Sequence, residues 1–289
     1  MTYSVRSATV RFGRTLALND VSVTIEPGSV LVVVGGDGAG KTTLLRSIVG
    51  EVALESGSID APDPQGVGYL TASAGCWSAL TVRQNMDFVA GIYGLSGTRL
   101  IERRELLLGR AGLVQAGDRL ASQLSGGMRR KLGFCMTMLH EPPLLVLDEP
   151  TTGVDPVSRI DIWRLVSEAA AAGAAVIMST TYLDEAERAG SLLVLDGGST
   201  LASGTLGEVL ATLSGTITHS DRPHRAEWSW RRGRGHHEYW PEGSELPVGA
   251  VAAMPDLEDV VVALSLLRRQ ESVLRAPGGL RGALGLPLG

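Results

Sequence analysis

The apolar run VLVVV (Val30–Val34) passes at once into GGDGAGKTT, residues 35–43. Five consecutive apolar residues, four of them valine, read as a strand covered on both faces. Four glycines within residues 35–40 then let the backbone turn tightly before TTLLRSIVG, whose apolar spacing is helical. Gly35 to Thr42 fits G-x-x-x-x-G-K-[ST], a loop whose N–H groups converge on phosphate at a helix N-terminus. The candidate phosphate-contacting residues are therefore Gly35, Gly36, Asp37, Gly38, Ala39, Gly40, Lys41, Thr42 and Thr43. Lys41 would reach the β- and γ-phosphates, and the Thr42 hydroxyl would bind Mg²⁺. In a chain with 37 glycines, a flexible strand-to-helix turn is the plainer alternative for this loop taken alone.

Two further segments supply the chemistry that a phosphate loop needs. LLVLDEP (Leu144–Pro150) ends a buried-strand pattern in adjacent carboxylates. There Asp148 can hold Mg²⁺ through water, and Glu149 is the candidate catalytic base for an attacking water. LSGGMRRKL (Leu124–Leu132) puts Ser125, Gly126 and Gly127 at a helix N-terminus, a second anion-binding end. In isolation that segment is equally a Ser-Gly-Gly turn before a basic helix.

Taken together, and in this order, these segments resemble the nucleotide-binding subunits of the ATP-binding cassette family. LSGGM matches the family signature, LLVLDEPT the Walker B strand and TTGVDP the D-loop, with Asp155 as its aspartate. The resemblance covers residues 5–215. It implies an α/β fold: a P-loop NTPase (RecA-like) core with a helical subdomain, followed here by a small β-rich and helical C-terminal extension. It also implies ATP and Mg²⁺ as ligands and a head-to-tail dimer, each site taking Walker A and B from one subunit and the signature from the other. Phe12, in VRFG, matches the aromatic that stacks on adenine, although a lone aromatic on an N-terminal strand equally fits a core position.

Two positions depart from the family pattern. The family carries a glutamine after a strand like VGYL, and counting back from LTVRQN places that position at Ala72. It also carries a histidine after the strand AAVIMS, where this chain reads Ser179-Thr180-Thr181-Tyr182 and Thr181 takes the place. An alanine has no polar atom, and a threonine hydroxyl is short and uncharged. Losing one transition-state donor costs on the order of 10²–10³ in rate. The expectation is an ATP-binding chain that hydrolyses slowly in its own site, either as a homodimer or, with its intact LSGGM, as one half of a heterodimer.

The rest of the chain sets the frame. Residues 75–138 carry helical patterns, such as TVRQNMDFVAGIYG and RLIERRELLLGRAGL, and read as a helical insert between halves of a parallel α/β core. The nucleotide-binding domain is expected over 1–215, the extension over 216–270 and a disordered tail over 271–289. In the extension, AEWSWRRGRGHHEYW reads as a hairpin around Gly-Arg-Gly. PDLEDVVVALSLLRR reads as a helix burying Leu257, Val260, Val261, Leu264 and Leu267. His236 and His237, adjacent on a strand, would point to opposite faces and make a poor ligand pair. A net charge of −5 gives no sign of a nucleic-acid protein, despite the mixed basic and aromatic residues of the extension. Cys76 and Cys135 are too few and too far apart for a disulfide framework, which indicates a reducing cytoplasm. Neither a leader-like N-terminus nor an apolar run of roughly 18 residues is present, so membrane contact is expected through separate permease subunits, on the cytoplasmic face. The resemblance extends loosely to drug-exporter ATPase subunits, which carry a comparable C-terminal extension. A non-hydrolysing regulatory subunit and a ribosome-associated ATPase are the alternative functions.

Overall fold

Residues 1–275 are described by a computed structural model; the part of the expected tail beyond them lies outside the described residues. Two long strands, β1 (Tyr3–Phe12) and β2 (Thr15–Ile25), pair antiparallel at the start. β3 (Val30–Val34) then leads through the glycine loop into α1 (Lys41–Ile48). β4 (Ser56–Asp60) returns to β1, giving a three-stranded sheet in the order β2-β1-β4. After β5 (Val67–Leu70) come three helices, α2 (Val82–Ile92), α3 (Gly97–Ala111) and α4 (Gly126–Met138). The core resumes with β6 (Leu144–Leu147), α5 (Pro156–Ala171), β7 (Ala175–Thr180), the single turn α6 (Leu183–Ala186), β8 (Ser191–Asp196) and β9 (Ser199–Gly204).

The second sheet runs β5-β6-β7-β3-β8-β9, and its pairs from β5 to β8 are parallel. Composition explains why. Every residue of β3, β6 and β7 is buried, so each needs a covering layer on both faces. Leu31, Val33, Val146, Ile177 and Leu193 share one cluster with Leu44, Leu45 and Ile48 of α1 and with Val5, Val10 and Leu18 of the first sheet. α1 is thereby held between two sheets, while α5 packs on β3 and β7. The segment expected to be helical is so: α4 packs on α2, α3 and β5. Thr81 and Gln84 cap α2 reciprocally, and Ser125 caps α4.

The chain divides into two compact units, residues 1–203 and Gly204 onward, so the division falls upstream of the expected boundary at residues 215/216. The helix α7 (Leu206–Ala211) belongs to the second unit. Its sheet runs β11-β12-β10-β13, from β10 (Thr216–Ser220), β11 (Ser229–Arg232), β12 (Gly235–Trp240) and β13 (Val251–Ala253), and α8 (Leu257–Arg275) follows. The hairpin turn is tighter than the sequence suggests. Arg232 pairs with Gly235, which leaves Gly233-Arg234 as the turn, with Gly233 at φ +57°. Trp228 and Trp230 pack against Ile217, Tyr239 and Ala263, so these aromatics serve the core between the exposed arginines. α8 buries Leu257, Val260 and Ala263, while Val261, Leu264 and Leu267 are half-buried; Ala263, absent from the expected face, is as fully buried as Val260. His237 meets Asp259 of α8 at 2.7 Å, and its neighbour His236 does not share that partner.

Ile177 has no solvent exposure and lies at the centre of the larger core. Ile177→Ala is expected to lower unfolding stability by about 2–5 kcal/mol in denaturant titration, with an unchanged m-value.

Candidate functional site

Parallel register brings the C-terminal ends of β3, β6 and β7 to one edge, the place where open α/β sheets bind ligands. At the end of β3 the glycine loop has little freedom. A Cβ on Gly35 would lie 2.3 Å from the Leu195 carbonyl oxygen, and one on Gly40 2.7 Å from that of Ala17. Gly40 also sits at φ +103°, in the left-handed region, as it starts α1. Asp37 and Gly38 lie at the exposed crest, whereas Ala39 is tucked inside. Lys41 is buried and folds back under the loop, donating from Nζ to the carbonyls of Gly35 (2.8 Å) and Gly36 (3.1 Å).

At the end of β6, Asp148 is buried and takes two hydroxyl donors on Oδ1, from Thr42 at 3.2 Å and from Ser179 at 2.7 Å. The Ser179 hydroxyl also accepts the Glu149 N–H at 2.9 Å. Ser179 thus fixes both carboxylate residues at once. Sequence reading quoted it without giving it a role; the available signal was a polar residue closing an apolar strand. Glu149 has φ +47°, uncommon for a residue with a side chain, and its Oε1 lies 3.8 Å from Lys41 Nζ. Four of the expected residues, Lys41, Thr42, Asp148 and Glu149, therefore converge.

The donor set fits a phosphate-bound Mg²⁺. Among the described residues no group of three or more His, Cys, Asp or Glu forms a metal cage. A hydroxyl beside one carboxylate, at the foot of a loop lined by N–H groups, is the set suited to an ion shared with phosphate oxygens.

The signature residues lie elsewhere. Ser125 caps α4 by accepting the Met128 N–H at 3.2 Å. Gly127 packs so closely on the start of α5 that a Cβ there would lie 2.4 Å from Ser158 Oγ and 3.2 Å from Asp155 Oδ2. Asp155 itself caps α5 by accepting the Ser158 N–H at 3.0 Å, and these bonds hold its carboxyl below the usual range. The structure thus joins Ser125–Gly127 to Asp155 within one surface rather than to Lys41. Phe12 ends β1 and is 52% exposed, so it is not a core residue.

Both departures flank the site. Leu70 pairs with Leu147, so Ala72 leaves the sheet beside Asp148 and Glu149; Val34 pairs with Thr180, so Thr181 leaves it beside Gly35. Both side chains are exposed. The loop carrying Ala72 is held from behind by Arg130, a buried guanidinium that donates to the Thr71 carbonyl at 2.9 Å. Burial lowers the Arg130 pKa, partly offset by Cys76, Asp148 and Glu149. Burial also pushes Cys76 to about 11 and Cys135 to about 12, so both stay protonated thiols at neutral pH.

Comparisons with known proteins agree on one family. A family model described as ABC transporter matches residues 18–152. The probable multidrug ABC transporter ATP-binding protein YbhF of Escherichia coli (strain K12) is 32% identical over 284 residues, 94% of this chain and 46% of that protein. The chain thus spans about half the length of that relative. The daunorubicin resistance ATP-binding protein DrrA3 of Streptomyces coeruleorubidus is 34% identical over 223 residues, 73% of this chain and 71% of that protein. Among solved structures, an ATP-binding subunit of an ABC transporter superposes with a TM-score of 0.68 at 26% identity, covering 73% of this chain and 93% of the other.

Removing the Ser179 hydroxyl would leave the Glu149 N–H without its acceptor and Asp148 without its nearest donor. Ser179→Ala is expected to weaken the Mg²⁺-dependent part of nucleoside triphosphate binding by about tenfold, within the range for one lost buried hydrogen bond. Calorimetric titration with Mg²⁺ and with EDTA checks this, the EDTA affinity staying the same.

Proposed function

The chain belongs to the ABC transporter family, and from that premise we propose that it is the ATP-binding subunit of an exporter, binding ATP firmly and hydrolysing it slowly in its own site. The observation that carries the ATP reading is the bonded array Thr42–Asp148–Ser179–Glu149 at the foot of the Lys41 loop. In this reading Gly35 to Thr43 wrap the phosphates, and Lys41 turns from the loop carbonyls to the β- and γ-phosphate oxygens. Thr42 and Asp148 would hold Mg²⁺, which when bound supplies charge neutralisation to those oxygens. Glu149 accepts the proton of the attacking water, and Phe12 offers its exposed ring to the base. Ser125, Gly126, Gly127 and Asp155 form the surface that completes the site of a facing subunit.

Ala72 and Thr181 support slow turnover. They follow the strands β5 and β7 next to Glu149 and the start of the loop; alanine has no donor, and the threonine hydroxyl is a shorter, uncharged donor than an imidazole. A heterodimer follows: this chain lends its signature face to a fully equipped partner and keeps its own ATP as part of the interface. Relatives named for multidrug and daunorubicin resistance support drug export as the work driven.

The surface for a membrane subunit lies next to the Ala72 loop. Trp77 and Phe88 are half-exposed and in ring contact at 4.4 Å, and Ile92 is 66% exposed. Trp77 and Ile92 border a cavity of about 210 Å³ lined also by Thr71, Ala74, Tyr93 and His140. Among the described residues no helix is long and apolar enough to cross a membrane. The exposed apolar patch of Trp77, Phe88 and Ile92 is the surface on which a membrane-embedded partner would be met.

The steady-state ATPase rate tests the site. Ala72→Gln combined with Thr181→His is expected to raise turnover on the order of 10²-fold, and Glu149→Gln to remove what turnover the unaltered chain has. Brisk turnover in the unaltered chain would end the slow-site reading. Phe88→Ser should weaken co-purification with membrane subunits while ATP affinity holds.

A further inference from the structure

Glu185 and Asp148 are the two buried carboxylates among the described residues of the first unit, and only Asp148 belongs to the site above. Glu185 has an exposure of 1% and is fully engaged. Its Oε2 accepts the Thr151 hydroxyl at 2.7 Å and the Thr180 hydroxyl at 2.9 Å, and its Oε1 accepts Arg159 Nε at 2.9 Å. All three partners donate, the pattern an ionised carboxylate satisfies.

Each donor comes from a different segment that serves the site. Thr151 lies two positions after Glu149, on the loop leaving β6. Thr180 closes β7, and because its one proton goes to Glu185, its lone pair is free to accept the Tyr182 N–H at 3.1 Å. That bond spans Thr181 and fixes its backbone. Arg159 lies in the first turns of α5, just after Asp155 and Ser158, against which Gly127 packs. The same guanidinium covers the Tyr182 ring at 4.2 Å, closing the circuit.

We propose that Glu185 is a positioning residue that couples the phosphate end of the nucleotide site to the surface formed by Asp155, Ser158 and the signature residues. The proposal deepens, and rests on, the ATP-binding reading. A shift of the Glu149–Thr151 or Thr181–Tyr182 segment toward bound phosphate pulls on a carboxylate that has no slack, and α5 answers through Arg159. With a threonine at position 181, the backbone bond through Thr180 is the route that remains from that loop. A buried ion pair that merely holds the fold would instead alter stability and leave nucleotide response untouched.

Hydrogen exchange of the full chain, with and without MgATP, separates the two. In the unaltered chain MgATP is expected to slow exchange both in residues 35–48 and in residues 151–159. In Glu185→Gln, which keeps size but replaces one accepting oxygen by an amide donor that cannot pair with these donors, protection of 35–48 and ATP affinity should persist while protection of 151–159 is lost. Thr180→Val, which removes one donor and no charge, gives the same reading should Glu185→Gln fold poorly. Full retention of protection at 151–159 in the variants, or its absence in the unaltered chain, overturns the coupling. Absence of MgATP protection at 35–48 overturns the nucleotide reading itself, and the coupling with it.

Discussion

Asp148 is the point on which the arrangement depends. A carboxylate taken out of water at the end of an all-apolar strand is costly unless donors meet it, and here they come from outside its own strand. Thr42 supplies one from α1 and Ser179 the other from β7, and that strand lies between β6 and β3 in the sheet. The bond pattern therefore tests the register of three parallel strands at once. A slip of one residue would turn Ser179 to the other face, leaving Asp148 with Thr42 as its one hydroxyl donor and the Glu149 N–H without its acceptor. The requirement to satisfy one buried charge thus helps to specify the fold that brings phosphate loop and catalytic carboxylate together.

Much of this was legible in sequence where residue type is dictated by local geometry. Gly40 is there because the turn into α1 needs a left-handed backbone and leaves no room for a Cβ, and such constraints write themselves into short motifs. The all-apolar strands and the capped helices were readable for the same reason: each depends on near neighbours in the chain. Ser179, Glu185 and Arg130 were not, because the contacts that give them their place reach Glu149, Thr151 and Thr71, which lie 30, 34 and 59 positions away. The packing of α8 shows the same limit in another form. A 3.6-residue spacing gave the correct face to within a residue, but that Ala263 joins the buried set was settled by the sheet it packs on, where it meets Ile217 and Tyr239.

The two departures gain weight from the context in which they stand. Both positions lie in the turns that immediately leave well-registered strands: Ala72 follows a strand in register with β6, and Thr181 follows one in register with β3. The apparatus behind each is intact, with Arg130 holding the first loop and Thr180 with Glu185 holding the second. A chain that had ceased to bind nucleotide would have no physical need for a buried Lys41, for Thr42 aimed at Asp148, or for a strained backbone at Glu149. Retention of the binding geometry with loss of two donors fits a site kept for occupancy more than for turnover.

Occupancy is useful only if it is felt elsewhere, and the packing of Gly127 on Asp155 and Ser158 defines where. With no room for a Cβ between them, the signature turn and the start of α5 move as one piece. A second subunit docking on that surface meets a rigid face whose position is set through Arg159, Glu185 and the two threonines by the loops beside the phosphates. The route passes through two buried hydrogen bonds and one part-buried ion pair, with no flexible linker, so a small displacement at one end is carried toward the other. A site of this construction can report that ATP is present without cutting it, which is what one half of an asymmetric pair would have to do.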